Sequence, residues 1–226
     1  MIFHPMDFLI FAALGLALWA QTKVKGNFEK WSRVRASSNL TGAQVARLIL
    51  DKEGLSHVKV EHSRNGTLSD HYDPTAKTVR LSDPVFAGNS ISSLAVAAHE
   101  VGHAIQDDTR YGMLLLRHRL FPVANIGSQV APFLFIGGFV LDMMNLIGVG
   151  IVLFAAAVLF QVVTLPVEFD ASNRARKKLV DLGLIANQEE KGISNVLNAA
   201  ALTYVASTLM AILQLIKFIL IFRGRR

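Results

Sequence analysis

Four long apolar segments alternate with polar, basic stretches along this chain of 226 residues. They are residues 2–20, 121–141, 147–167 and 199–222. Each has about the 20 predominantly apolar residues that an α-helix needs to cross the hydrocarbon core of a bilayer. The pattern predicts an α-helical integral membrane protein.

The charges between these segments indicate an orientation. Basic residues follow the first segment and none precedes it, whereas a secretory signal peptide begins with a basic region. The first segment is therefore predicted to be an uncleaved anchor whose N-terminus lies outside. The short turn 142–145 makes the second and third segments a transmembrane hairpin. The positive-inside rule then places the polar stretches in the cytoplasm of a multi-pass plasma-membrane protein.

The fourth segment conflicts with this rule. It is followed by a basic tail, residues 223–226, which contains three arginines. A full crossing would put this tail outside, although basic residues are usually retained inside. Two alternatives stay open: the earlier spans override the rule, or the segment packs without a clean crossing.

Two helices are predicted after the anchor. Phe28, Trp31 and Val34 recur at helical spacing among basic residues. This favours a short amphipathic helix on the membrane surface, with a solvated linker as the alternative. Thr41 and Gln44 have the spacing of a capping box, which predicts the start of an amphipathic helix in a soluble domain.

The hydrophobic period changes to two between Gly54 and Gly88. Asn65-Gly66 is typical of a two-residue hairpin turn, so we expect three short antiparallel strands. An exposed edge of such a sheet can bind an extended peptide through backbone hydrogen bonds, but the strands could also simply cover the next helix. The polar residues 70–73 are predicted to line a cleft or, with greater support, to form turn hydrogen bonds.

The next predicted helix contains the sequence His-Glu-Val-Gly-His at residues 99–103. Residues four apart project from one helix face, so His99 and His103 can bind a single ion. Zinc lowers the pKa of a bound water to about 7, and the adjacent Glu100 can then accept its proton. Since the pattern is short, two half-buried histidines beside a surface carboxylate are the alternative interpretation.

A second carboxylate follows the transmembrane hairpin. Glu168 begins a polar stretch directly after the third apolar segment. Catalytic zinc sites use three protein ligands and leave a fourth position for water. Glu168 is therefore a candidate third ligand, although a negative charge at a helix N-terminus would also be favourable there.

The composition restricts the possible metal ligands and binding partners. The chain has no cysteine, so any zinc must be held by His, Asp or Glu. The net charge of +6 is explained by basic loops beside anionic lipid, so we expect no nucleic-acid partner.

Four motifs extend the pattern beyond the two histidines. Together they resemble a bacterial family of membrane zinc metallopeptidases called YugP and, more distantly, HtpX and the CAAX prenyl proteases. The motifs are LSDHYDP (68–74), KTVRLS (77–82), VAAHEVGHAIQ (96–106) and LPVEFDAS (165–172).

The resemblance implies a Zn²⁺ cofactor held by His99, His103 and Glu168. The distant relatives have an aspartate with an orienting role four residues beyond the third ligand, on the same helix face. Ser172 occupies this position here, so that role is left open. Asp170 would point away from Glu168 on a regular helix.

The fold class implied is a membrane protein with a small α+β zincin-like catalytic domain, in which an antiparallel sheet precedes the metal-binding helix. The predicted divisions are an anchor (1–20), the catalytic domain (21–119), the hairpin (120–167), a cytoplasmic helix with the third ligand (168–198), a fourth membrane segment (199–222) and the tail (223–226).

The sequence is compatible with three functions. The leading hypothesis is a gluzincin-like endopeptidase at the cytoplasmic membrane surface, which cleaves proteins or peptides, including membrane proteins, with Glu100 as the catalytic base. A non-catalytic membrane adaptor with a structural zinc site is the alternative, and either function is compatible with a homo-oligomer or a regulatory membrane partner. A transporter is weaker, because the charges Asp142 and Lys217 lie near segment ends. His71, Arg174 and Tyr204 are unranked candidates for stabilising the oxyanion.

Overall fold

The computed structural model describes residues 6–64, 66 and 69–224. This part of the chain is mostly helical and contains one small sheet. In order, its elements are α1 (Met6–Ser32), α2 (Gly42–Lys52), β1 (Lys59–His62), β2 (His71–Asp73), β3 (Thr78–Leu81), α3 (Asp83–Phe86), α4 (Ile91–Asp108), α5 (Gly112–Val140), α6 (Met144–Asp181), a short 3₁₀ helix (Asn187–Glu189) and α7 (Glu190–Gly224). They divide into two compact units.

The first unit is made of apolar helix segments. It includes the start of α1, all of α5, α6 as far as Pro166 and α7 from Leu202. Four helices of the described chain, α1, α5, α6 and α7, are long and apolar enough to cross a membrane, which confirms the prediction of a membrane protein. Gly127 allows α5 and α6 to approach closely, because a Cβ atom there would lie 2.3 Å from the Leu153 carbonyl oxygen.

An ion pair joins the start of α1 to the end of α7 within this unit. Asp7 accepts a hydrogen bond from Lys217. The two helix ends therefore lie on one side of the unit. Whether the fourth segment crosses the membrane completely stays a prediction.

The second unit consists of residues 21–111 and 167–201. Helix α4 runs through its core, where Leu94, Ala98 and Val101 are almost completely buried. Both predicted helix starts of this unit are capped: Ser90 Oγ accepts from the Ser93 N–H, and the capping box of α2 is present. These caps satisfy N–H groups that have no partner within the helix.

The sheet is mixed, so the prediction of three antiparallel strands is wrong. Its strand order is β1-β3-β2, with β1 parallel and β2 antiparallel to β3. The predicted hairpin turn includes Asn65, which is outside the described residues, and β1 does not pair with β2. Ser63 N–H donates to the Leu81 carbonyl at 2.7 Å, and Asp70 accepts from Ser82 N–H at 2.7 Å. These bonds hold both ends of the connection between β1 and β2 at the end of β3. The alternation of apolar and polar residues predicts the strands but does not show which strands are neighbours.

A separate surface helix at residues 28–34 is also a wrong prediction. Helix α1 continues to Ser32, and Phe28 and Trp31 pack against the core of the second unit. Ser92 Oγ donates to the Phe28 carbonyl at 2.8 Å. The apolar positions among these basic residues therefore anchor the helix to a protein core.

Gly102 brings α4 against α6 in the second unit. A Cβ atom at this position would lie 2.6 Å from the carbonyl oxygen of Ala171 and 3.1 Å from its Cα atom. Both contacts are to backbone, which cannot rotate away. A glycine inside α4 therefore sets the distance between the two helices.

We expect Gly102→Ala to lower the melting temperature of the detergent-solubilised protein by a few degrees. Overpacking costs about 1–3 kcal/mol, whereas alanine adds only about 1 kcal/mol of helix propensity. The matched control is Gly26→Ala in α1, where a Cβ atom meets nothing within 4 Å. It should be neutral or stabilising, and the same result for Gly102→Ala would show that the close approach is unimportant.

Candidate metal centre

Three potential ligands meet on two helices of the second unit. Helix α4 supplies His99 and His103, one turn apart, with ring centroids separated by 4.8 Å. Helix α6 supplies Glu168. Ligand atoms of these three side chains all lie within 4.8 Å of one another, so the group could hold a metal ion.

The chemistry and the spacing of this group fit zinc. Glu168 Oε2 lies 3.3 Å from His99 Nε2 and 3.6 Å from His103 Nε2. Two ligands of a tetrahedral zinc ion, each at about 2.0–2.2 Å, are roughly 3.3–3.6 Å apart. Two imidazoles with one carboxylate form a three-ligand set that leaves one position for water or substrate.

Burial and charge make the centre attractive to a cation. The exposed fractions of the His99, His103 and Glu168 side chains are 15%, 12% and 4%. Burial acts to lower the pKa of His103, but its contact with the carboxylate of Glu168 and the negative charges of Glu100 and Glu168 raise the pKa by more. Glu100 is itself buried. Two carboxylates therefore impose a negative potential on the histidines.

Ser172, whose role the sequence left open, contacts His99. Its hydroxyl Oγ lies 3.2 Å from His99 Nδ1. This contact engages the ring nitrogen that does not face Glu168 and so leaves Nε2 for the metal. The serine thus contacts a potential ligand at the position where the distant relatives have an aspartate.

Gln106 orients the second histidine, and the sequence did not single it out. Its Oε1 lies 3.0 Å from His103 Nδ1; since an amide oxygen only accepts, Nδ1 carries the proton and Nε2 faces Glu168. Gln106 Nε2 donates to the Val167 carbonyl and to Asp170 Oδ2, each at 2.8 Å. The side chain is completely buried. The sequence signal that could have identified Gln106 is its position three residues after His103, because side chains three apart are neighbours on a helix.

Asp170 therefore contacts Gln106 beside the potential ligands but is not one of the three residues that could hold the metal. It accepts from Gln106 and, at 2.5 Å, from Arg174 Nε. Arg174 also lies over the ring of Tyr111. This network links α4 to α6 directly beside the histidines.

In the polar cluster 70–73, Asp73 forms the predicted turn hydrogen bonds, because its Oδ1 accepts from the N–H groups of Thr75 and Ala76. Tyr72 OH donates to Asp107 at 2.7 Å, and burial together with this bond raises the pKa of Tyr72. Hydrogen bonds from Ala76 N–H and Arg80 lower the pKa of Asp73 to about 2, whereas burial raises the pKa of Asp70.

The three oxyanion candidates occupy different places. His71 Nδ1 lies 2.8 Å from the Ser69 carbonyl oxygen, Arg174 is held by Asp170, and Tyr204 belongs to the first unit. None of the three is in the ligand group. Their proposed catalytic role stays a prediction.

Comparisons with known proteins place the chain among zinc metallopeptidases. The model of a family described as "Putative neutral zinc metallopeptidase" matches residues 6–223. The "Putative membrane protease YugP" of Bacillus subtilis (strain 168) is 59% identical over 219 residues, which cover 97% of each chain. No solved structure matches this chain.

We expect Ser172→Ala and Gln106→Leu each to weaken zinc binding by about 10–100-fold, the usual effect of removing a group that orients a histidine ligand. Affinity would be measured on purified protein by competition with a chromophoric chelator. Ser32→Ala is a matched control, because Ser32 Oγ donates only to a carbonyl of its own helix. Wild-type affinity in both variants would mean that the two contacts do not orient the histidines.

Proposed function

The chain belongs to the neutral zinc metallopeptidase family, and we propose that it is a membrane-embedded zinc endopeptidase. The observation that carries the proposal is the convergence of His99 and His103 from α4 with Glu168 from α6. The four apolar helices and the name of the Bacillus subtilis relative support a protease that acts at a membrane.

The ligand set supports assignment to the gluzincin-like enzymes. His99 and His103 bind through Nε2, because Nδ1 of each ring is engaged by Ser172 or Gln106. Glu168 completes three protein ligands, as in catalytic sites, whereas structural zinc sites are usually closed by four. We extend this assignment to a zincin-like catalytic domain formed around α4.

Glu100 is the proposed catalytic residue. When bound, zinc polarises the scissile carbonyl and lowers the pKa of water, so that hydrolysis proceeds at neutral pH. Glu100 takes a proton from the attacking water and later gives a proton to the leaving amine as the C–N bond breaks. Its buried position beside His99 keeps bulk water from competing for that proton.

The substrate is proposed to bind as an extended strand on β2. This strand is at one edge of the sheet, and the bond from Tyr72 to Asp107 holds it beside α4. A free strand edge binds peptide backbone with little regard to sequence. This binding mode suits an enzyme that cleaves within proteins.

The charge pattern supports an active site at the cytoplasmic membrane surface. Basic residues follow the apolar part of α1, and four more, Arg174, Arg176, Lys177 and Lys178, follow Glu168 in α6. Basic residues close to a span are retained on the cytoplasmic side. Proteins that emerge from the inner leaflet are therefore the proposed substrates.

Glu100→Gln tests the mechanism. We expect the variant to keep its zinc and thermal stability but to cleave a fluorescent casein in detergent at least about 100-fold more slowly, because proton transfer typically contributes that much. Glu29→Gln, on an exposed part of α1, should cleave at the wild-type rate.

Wild-type cleavage by Glu100→Gln would exclude Glu100 as the base. A different pattern would support the adaptor hypothesis: no cleavage by zinc-loaded wild type, no effect of Glu100→Gln in cells, and unfolding by His99→Ala.

A further inference from the structure

The outer edge of β1 is an exposed surface of the second unit. In the strand order β1-β3-β2, no strand of the described chain pairs with this edge. The residues of β1 are exposed, apart from the half-buried Val60. An exposed edge offers its unpaired N–H and C=O groups to any strand that can align with it. The edge of β1 is therefore a candidate interaction surface.

The backbone of β1 presents its outward groups at Val60. The N–H groups of Lys59 and Ser63 donate to carbonyls in or next to β3, at 3.0 Å and 2.7 Å. Since successive residues of a strand direct their backbone groups to opposite sides, Val60 directs its N–H and C=O away from β3. The Val58 carbonyl, just before the strand, already accepts from Arg47 at 2.6 Å. A further strand would therefore pair with β1 at Val60.

Charges of alternating sign cross the polar face of the sheet. Arg80 on β3 lies between two carboxylates: its Nη1 is 2.7 Å from Asp73 Oδ2 on β2, and its Nε is 3.5 Å from Glu61 Oε2 on β1. Lys59 projects from the same face of β1 as Glu61, and its side chain forms no ion pair within the described part of the chain. A strand beside β1 would continue the alternation if it placed a positive charge opposite Glu61 and a negative charge opposite Lys59.

A second copy of β1 meets both requirements. An antiparallel pair with its two-fold axis at Val60 places Val60 opposite Val60 of the partner subunit, and these two residues exchange both backbone hydrogen bonds. Lys59 then lies opposite Glu61 of the partner subunit, and Glu61 opposite the partner's Lys59. Opposite charges in such cross-strand positions stabilise a sheet.

The neighbouring registers are unfavourable. Two residues that lie opposite each other must both direct their backbone groups toward the partner or both away from it, so a symmetric register shifts only in whole residues of the axis position. An axis at Glu61 would oppose two glutamates, and an axis at Lys59 would oppose two lysines. Like charges directly opposite are destabilising. The sequence of β1 thus selects the axis at Val60.

A groove beside this edge has room for the partner's valine. The groove lies between α2 and β1 and has a volume of about 570 Å³, and its apolar lining includes Ala43, Leu48, Val60 and Phe86. Opposite residues of an antiparallel pair project from the same face of the sheet. The partner's Val60 would therefore enter this groove, and the two-fold symmetry makes the reverse contact identical.

We propose that two copies of this protein pair through β1 to form one continuous sheet. Each copy contributes its three strands, in the order β2-β3-β1-β1-β3-β2. Strand β2 stays at both outer edges, so the substrate strand proposed above is not displaced. The inference concerns assembly and does not depend on the proposed peptidase activity.

Disulfide trapping in native membranes tests the proposed register, because the chain has no cysteine of its own. Two full-length copies with different tags are co-expressed, one with Lys59→Cys and the other with Glu61→Cys. Isolated membranes, in which the copies keep their native orientation, are then oxidised with diamide. The two cysteines face each other with Cα atoms about 4.5 Å apart, a distance that a disulfide can span. The second cross-strand pair keeps its Glu61 and Lys59.

We expect the mixed disulfide to form at least about tenfold faster than a disulfide between two copies of the same variant. Cysteines at the same position are diagonal neighbours about 7–8 Å apart, which is beyond the usual reach of a disulfide.

Reversal of one charge in the same membranes tests the complementarity. Lys59→Glu, added to the copy with Glu61→Cys, opposes two glutamates and should slow the mixed disulfide about fivefold. Glu61→Lys, added to the copy with Lys59→Cys, should then restore the rate. The control is Lys25→Glu, an equal change of charge at an exposed position of α1, which should have no effect. The melting temperature of each variant reports its folding.

Four results would overturn the proposal. Equal rates for the mixed disulfide and for disulfides within each variant would indicate random collision. The absence of any disulfide would show that two copies do not meet at this edge. A mixed disulfide unaffected by Lys59→Glu would contradict the charge pairing. Disulfides from Glu61→Cys to a different membrane protein would identify that protein as the occupant.

Discussion

The contact between α4 and α6 is the constraint on which the site depends. The two histidines are local to one helix, but the carboxylate that completes the group is 65 residues beyond His103. Gly102 lets the backbones approach, and Gln106 fixes their register through its bonds to Val167 and Asp170. Since a displacement of about 1 Å can cost a catalytic site much of its rate, this packing matters as much as the ligands.

The two histidines could be predicted from the sequence because they lie one turn apart on a single helix, whereas Glu168 was predicted from the need of zinc for a third ligand and from the family resemblance. Two histidines four apart in a helix and a glutamate after a transmembrane hairpin predicted the group that the structure brings together. The four apolar segments likewise predicted the four long helices. Residues with a fixed spacing on one helix, or a long apolar run, need no knowledge of the tertiary fold.

The wrong predictions concern partners that are distant in sequence. The alternation of apolar and polar residues predicted strands but did not predict that β1 pairs in parallel with β3. A period of two determines the face of the sheet on which a side chain lies, but it does not determine which strand is the neighbour. The spacing of Phe28 and Trp31 predicted a surface helix because their core partners lie in α4 and beyond, far from them in sequence. Gln106 was overlooked because its role exists only when Asp170 and His103 meet.

The second unit carries the residues of the proposed chemistry. His99, His103 and Glu168 form a group that could hold a metal ion, and Glu100 is buried in the same unit. Ser172 and Gln106 contact the Nδ1 atoms of His99 and His103, so that both rings direct Nε2 toward Glu168. The first unit contains the apolar helix segments that are long enough to cross a membrane.

The zinc content of purified wild type beside Glu168→Ala tests the central claim most directly. Elemental analysis at equal folded fraction, with Glu190→Ala at an exposed position as the control, should give about one zinc per chain for the wild type and the control. Glu168→Ala should lose that zinc or bind it far more weakly. Equal zinc in all three proteins would contradict a ligand role for Glu168, and a wild type that takes up no supplied zinc would contradict the metal centre itself.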